Sequence, residues 1–205
     1  MSSSYVTFLK TDEEYGGLSN MSGAFPIAIN GVRVPASEHL YQMLKFPDHP
    51  EIQIEILSKA SPISCKMVAR KKVYQEFIRP DWKEIQLEVM EFCLRTKLLW
   101  HWMKFGNLLR STEGKVIYEI SSRKDKYWAV VALDNGFLGE NHLGKLLMKL
   151  RDELLSDNNE PLRAVTPPQH LDLRFLGKPI ETRDRRDHLR QLGTRTSEMV
   201  NALRP

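Results

Sequence analysis

Ser37-Glu38-His39-Leu40-Tyr41-Gln42-Met43-Leu44-Lys45 reads as the start of a helix. Helical spacing puts Glu38, Gln42 and Lys45 on one edge, with Tyr41 beside it. That edge offers a carboxylate, an amide and an ammonium. A carboxylate can stabilise developing positive charge or move a proton, and a lysine amine stripped of water can attack an aldehyde carbon. The same residues also suit a solvated face carrying a Glu–Lys pair, and taken alone that plainer role is the better account of them.

The elements around this edge follow from local chemistry. Pro35 ends an extended segment, Ser37 is placed to cap the helix, and Leu40, Met43 and Leu44 form its apolar stripe. Upstream, 5–10 reads as a strand and 11–22 as a loop holding Gly16-Gly17 and Leu18-Ser19-Asn20. Asn30-Gly31, flanked by apolar residues, predicts a tight hairpin. A short helix is expected over 51–60. Ser61-Pro62 opens another to about 78, with Ile63, Met67, Tyr74 and Phe77 inward and Lys66 and Arg70 one turn apart on a different face. Asp81 is placed to cap the longest helix, 82–105. Its buried side is Ile85, Val89, Phe92, Thr96, Leu99 and Met103, and Gly106 ends it. Strands are expected over 116–121 and 127–133, around a turn carrying Lys124-Asp125-Lys126. Asn141 then caps an amphipathic helix seamed by Leu143, Leu147, Leu150 and Leu154.

These elements predict a mainly α fold with small antiparallel β elements, an α+β arrangement in a single compact domain over 1–156. A basic C-terminal extension follows over 157–205, ending in a charged helix opened by Arg183-Asp184-Arg185-Arg186-Asp187. From Asn158 onward nine Lys and Arg face six Asp and Glu, so this part supplies +3 of the net +4. A modest basic excess is compatible with a nucleic-acid partner.

Composition bounds the rest. Hydrophobic residues at 41% can build a real core. No apolar run reaches the roughly 18 residues a membrane span needs. Residues 1–9 lack the basic start and long apolar core of a secretory signal, so a cytoplasmic protein is expected. Cys65 and Cys93 show no metal-ligand spacing and read as buried free thiols. No nucleotide-binding glycine loop, zinc motif or serine elbow is present, so no cofactor and no metal are expected.

Four clusters remain: Leu18-Ser19-Asn20; Ser37 to Lys45; Glu119 with Asp125 and Trp128; and Gly139-Glu140-Asn141-His142-Leu143-Gly144 running into Leu147-Met148-Lys149-Leu150-Arg151. In this order, and with Ser61-Pro62, Arg70, Trp82, Leu94-Arg95 and Lys97, Leu109, Thr112 between them, they resemble the NADAR family and its YbiA-like members over about 8–155. The specific signal is Ser-Glu-His-x-x-Gln-x-x-Lys paired with Asn-x-Leu-Gly-x-x-Leu-Met-x-x-Arg much later.

The resemblance implies a mainly helical fold, a pocket for ADP-ribose-like molecules and N-glycosidase activity. One branch of the family removes ADP-ribose from the amino group of guanine in nucleic acid, as the antitoxin of a DNA-modifying ADP-ribosyltransferase. Another acts on phosphorylated intermediates of riboflavin synthesis. Cutting an N-glycosidic bond builds positive charge at the anomeric carbon, which suits a carboxylate. The resemblance therefore implies Glu38 near that carbon, with Asp125 or Glu119 polarising a ribose hydroxyl or a water. Either Lys45 or Lys97 could serve as an amine nucleophile. Lys45 is preferred because it shares an edge with Glu38. Lys66 and Arg70, with the backbone from Asn141 to Gly144, would meet the diphosphate, Tyr41 and Trp128 would stack on a base, and Asn20 and Gln42 would complete the ligand contacts.

Each assignment has a plain structural counterpart: Asn141 as a helix cap, Trp128 as core, Lys66 and Arg70 as a solvated face, Glu119 on an edge strand. The chain also departs from the family pattern. Trp128 is followed by Ala129-Val130-Val131-Ala132-Leu133-Asp134 where a glycine-rich loop is usual, Met21 follows Asn20 in place of an aromatic, Ala69 replaces a glycine and Leu98 a phenylalanine. The altered loop and the basic extension tilt the expectation towards the nucleic-acid branch.

Overall fold

The computed structural model describes residues 4–122 and 125–185. Strand β1 (Tyr5–Phe8) is followed by β2 (Ile27–Ile29) and β3 (Val32–Val34), an antiparallel hairpin. Its turn has Asn30 at φ 48° and Gly31 at φ 80°, the left-handed pair that Asn-Gly tolerates. Helices α1 (Ser37–Met43), α2 (Pro50–Leu57), α3 (Pro62–Ala69), α4 (Trp82–Trp100) and α5 (Lys104–Arg110) follow. Then come β4 (Val116–Glu119), the hairpin of β5 (Val131–Leu133) and β6 (Gly136–Leu138), and α6 (His142–Leu155). Four two-residue strands end the described chain: β7 (Ala164–Val165), β8 (Arg174–Phe175), β9 (Lys178–Pro179) and β10 (Arg183–Asp184). The fold is thus mostly helical with small two-stranded sheets. Among them β1 and β4 pair in parallel, and the other named pairs are antiparallel.

Every residue of α1 is buried, and the helix packs against α2, α3 and α4. Its start is not capped by Ser37 as expected. Ser37 already lies inside the helix, and its buried Oγ has no partner among the described residues. The loop fills that role: the Glu38 backbone N–H donates to the Asn20 carbonyl at 3.0 Å. Ser61 and Asp81 occupy the positions before α3 and α4 without a side-chain cap bond, and Asp81 instead pairs with Arg79.

Three local expectations are corrected. The helix begun at Pro62 stops at Ala69, and a 3-10 segment, Lys72–Phe77, replaces its second half. Cys65, Val68 and Ala69 face inward there, while Ile63, Met67 and Phe77 are exposed. Small side chains on that face let α3 lie close to α1. The longest helix ends at Trp100 and not near 105, because His101 leaves helical geometry and its Nε2 meets the Pro26 carbonyl at 2.6 Å. Gly106 sits inside α5, where Leu98 and Leu154 pack over it, and Met103 is exposed. Finally, the strand expected over 127–133 forms only at β5, since the Tyr127 and Trp128 N–H groups are bonded to the Asp125 carboxylate.

One core runs from Val6 to Ile180. It takes in Leu143, Leu147, Leu150 and Leu154 of α6, and also Leu162, Val165, Leu171, Leu173, Phe175 and Ile180 from the extension. Gln53 and Asn30 tie this later chain down, bonding Arg174, Leu176, Pro179 and Glu181 backbone groups. Arg183 and Asp184 pair with β7 and do not open a helix. The rest of the expected terminal helix, past Arg185, lies outside the described residues.

Helix α6 crosses β4 at close range. A Cβ on Gly144 would lie 2.2 Å from the Ile117 carbonyl oxygen, and backbone cannot yield easily there. Gly144→Ala is therefore expected to destabilise the fold by about 3 kcal/mol, the upper part of the overpacking range, measured as a lower urea midpoint at unchanged slope.

Candidate functional site

The edge of α1 forms the floor of a cavity of about 450 Å³. Glu38, Tyr41 and Gln42 line it from α1 and Lys45 from the turn just past that helix, while Lys66 lines it from α3 and Arg70 from the residue that ends α3. Trp82, Gln86 and Met90 come from α4, Glu119 from the end of β4, Asp125 and Trp128 from the following loop, and Asn20 and Met21 from the opposite loop.

Glu38 is the centre of this arrangement. It is 2% exposed. One carboxylate oxygen accepts from Asn20 Nδ2, and the other accepts from Gln42 Nε2 at 2.7 Å. The Lys66 ammonium stands 3.9 Å from the second oxygen. Two amide donors and a nearby cation offset the desolvation cost of a buried carboxylate. Both oxygens are thereby fixed as acceptors. The Gln42 amide is oriented by its bond to Glu38, which leaves its buried Oε1 without a partner among the described residues and available to a donor in the cavity.

Burial pulls the Lys45 ammonium down to about 8, with Lys66 and Arg70 acting the same way and Glu38 opposing. The amine rests 5.5 Å from the Tyr41 ring centre and 5.4 Å from that of Trp82. Burial, reinforced by the Glu38 charge and resisted by Lys66, pushes Glu119 up to about 7. Its carboxyl makes no hydrogen bond or ion pair among the described residues. Asp125 differs: one oxygen accepts the Tyr127 and Trp128 N–H groups at 3.1 and 3.0 Å, an arrangement that shapes the loop. Tyr41 packs edge-on against Trp128 at 5.6 Å and tilted against Trp82 at 5.0 Å. Burial pushes its phenol up, so it stays neutral.

The structure brings together Asn20, Glu38, Tyr41, Gln42, Lys45, Lys66, Arg70, Glu119, Asp125 and Trp128. Three predicted residues do not line the cavity. Lys97 is fully buried beneath the 16–22 loop, donating to the Gly17 and Ser19 carbonyls at 2.6 and 3.0 Å and lying over Phe25 and Phe105. Burial holds its ammonium well below the usual lysine range. Asn141 adopts φ 53° and turns its amide onto β4, donating to the Ile117 carbonyl at 2.7 Å and accepting from the Glu119 N–H at 3.3 Å. Gly144 provides the close approach of α6 described above. These groups hold the loop and the strand that carry Asn20 and Glu119.

Gln86, Met90, Met21, Ser121 and Ser122 also line the cavity, beyond the residues expected there. Trp82, Gln86 and Met90 repeat every four residues, a mixed stripe beside the apolar one. That is the same signal Glu38 and Gln42 give on α1.

Residues 7–155 match the NADAR domain. The chain belongs to the NADAR family. Among its relatives is the N-glycosidase YbiA of Escherichia coli (strain K12), 32% identical over 155 residues, an alignment spanning 75% of this chain and 91% of the relative. A riboflavin biosynthesis protein of Vibrio vulnificus is 34% identical over 152 residues, 73% of this chain but 38% of that longer one. The solved NMR structure of E. coli YbiA superposes with a TM-score of 0.65 at 30% identity, covering 83% of this NADAR chain and 93% of YbiA. The fold is thus YbiA-like. No helix among the described residues is long and apolar enough to cross a membrane.

Proposed function

We propose that this NADAR chain is an N-glycosidase that hydrolyses the bond between ADP-ribose and guanine in nucleic acid, serving as antitoxin to a DNA-modifying ADP-ribosyltransferase. The observation that carries the N-glycosidase reading is the pinned Glu38 carboxylate, held by Asn20 and Gln42 in a cavity that also contains Lys45, Lys66 and Arg70. A fixed anion suits the positive charge that grows on the anomeric carbon. Lys66 and Arg70 supply cations for phosphates, and the Gln42 Oε1 can accept a ribose hydroxyl. Lys45 is the nucleophile: its amine bonds to the anomeric carbon, the resulting glycosylamine opens to a Schiff base, and water releases the sugar.

The guanine-linked substrate is supported by the segment after Trp128. Ala129 lines the cavity directly after Trp128 where the riboflavin-branch pattern has a glycine, while the β5 strand that follows lies outside the cavity. The second reading, cleavage of phosphorylated riboflavin intermediates, is favoured by the Vibrio relative.

The test is incubation of the protein with a guanine-ADP-ribosylated oligonucleotide and, separately, with the phosphorylated riboflavin intermediate. Mass spectrometry is expected to find free ADP-ribose and unmodified guanine in the first. Ribose phosphate from the second alone would transfer the assignment to that branch. No product from either would leave an ADP-ribose-binding module.

A further inference from the structure

The cavity holds three carboxylates, and their surroundings divide them. Glu38 has both oxygens engaged by amide N–H donors and is surrounded on α1 and in the 16–22 loop by groups that need it as an acceptor. Asp125 spends one oxygen on two backbone N–H groups of its own loop, so moving it would release the turn that presents Trp128. Among the described residues Glu119 is held only through its main chain, by the β1 pairing, by Asn141 and by the Val130 N–H, which donates to its carbonyl at 2.8 Å. Its carboxyl lines the cavity unbonded among the described residues, facing Glu38 from α1, Lys66 from α3 and Asp125 from the loop.

Resting on the N-glycosidase reading, we infer that Glu119 is the proton carrier of the reaction, giving its proton to the departing nitrogen, while Glu38 stabilises charge and Asp125 positions the loop. The step balances without any further reactant. The bond from the anomeric carbon to the base nitrogen breaks, the nitrogen keeps the electron pair, and the Glu119 proton converts it to a neutral amine. The Lys45 lone pair forms the new bond to carbon, and the proton that its nitrogen then sheds returns to the Glu119 carboxylate. Hydrolysis of the Schiff base by one water restores the free Lys45 amine. A carboxyl tied by fixed donors could not alternate between acid and base without breaking those bonds each turnover. Of the three, Glu119 has no such bond to break among the described residues.

The position of Glu119 sets the expected pH dependence. The productive form has Glu119 protonated, a state lost as pH rises through about 7, and Lys45 unprotonated, a state lost as pH falls through about 8. The product of the two fractions rises with pH up to about 7, is level to about 8 and falls beyond.

The experiment measures kcat against pH for wild type, Glu119→Gln, Glu119→Asp and Asp125→Asn on whichever of the two substrates above the wild type cleaves. Glu119→Gln is expected to be slower by about 10²- to 10⁴-fold and to lose the alkaline fall, leaving only the rise. Glu119→Asp and Asp125→Asn are expected to keep the alkaline fall at reduced rates. Unchanged ADP-ribose affinity by calorimetry identifies folded variants, and Glu119→Asp serves if the amide variant fails to fold. An alkaline fall that survives in Glu119→Gln, or one that vanishes in Asp125→Asn instead, overturns the assignment while the N-glycosidase reading stands. A wild type that cleaves neither substrate overturns both.

Discussion

Glu38→Gln is expected to lower kcat by about 10²- to 10³-fold with the fold retained, the loss typical of removing one preorganised electrostatic contact to a transition state. The substitution keeps the side chain's volume and changes two things. It deletes the negative charge that would face the anomeric carbon. It also places an amide NH₂ where Asn20 Nδ2 and Gln42 Nε2 both require an acceptor. One of those bonds can be recovered by flipping an amide, and the other is lost at a cost of about 1–3 kcal/mol of stability. A second consequence separates electrostatics from damage. The Glu38 charge opposes the burial that pulls Lys45 down to about 8, so removing it should lower Lys45 further. It should lower Glu119 as well, since the Glu38 charge also holds that carboxyl up. Both breaks of the kcat profile should then move to lower pH, the alkaline break following Lys45 and the acid break Glu119. Single-turnover rates across pH, with urea midpoints for the same protein, check both. Undiminished turnover would remove Glu38 from the mechanism. A slow variant whose alkaline break stays in place would show that its charge does not reach Lys45.

What can be read from the sequence is whatever local periodicity fixes. The edge of α1, the Asn30-Gly31 hairpin and the α6 leucine seam depend on spacing within a few residues, and they form as spaced. Orientation and long-range closure are harder. Helix α3 offers two apolar faces, and Ile63 with Met67 look like core until α1 selects the small face of Cys65, Val68 and Ala69. Parallel pairing of β1 with β4 joins segments far apart in sequence, which no local pattern encodes. The site shows the same division. Glu38, Gln42 and Lys45 are legible because they sit on α1 and the turn that directly follows it. Lys97 and Asn141 sit in motifs as telling as theirs, yet the first points under a loop and the second at a strand. Residue type and spacing do not distinguish a lysine facing the cavity from one tying down the loop beside it. Gln86 and Met90 escape a sorting of α4 into buried and solvent faces, which has no place for a third face lining a hollow.

Lys45→Met is expected to abolish the covalent intermediate and to lower kcat by at least on the order of 10³-fold, as loss of a nucleophile does where the other groups remain. Methionine matches the unbranched lysine side chain whose end reaches the Tyr41 and Trp82 rings, so the change removes the amine with little loss of packing. Numbers favour Lys45 over a solvated lysine. With its ammonium at about 8, roughly a fifth of the protein carries the free amine at pH 7.4, against roughly one part in a thousand for an ordinary lysine. Borohydride added during turnover should therefore fix a sugar adduct to the wild type, and peptide mapping should find it on Lys45. Lys66→Met should still be trapped, because on the proposed reading the Lys66 ammonium, 3.9 Å from Glu38, meets phosphate and forms no bond to carbon. Lys97→Met is the decisive control. Its amine too is deprived of water, but it is spent on the Gly17 and Ser19 carbonyls and does not line the cavity. That variant should retain trapping per folded molecule while unfolding at lower urea, since the 16–22 loop loses its anchor. An adduct that disappears in Lys97→Met and persists in Lys45→Met would move the nucleophile beneath the loop. The loop itself would then have to open for the sugar to reach it.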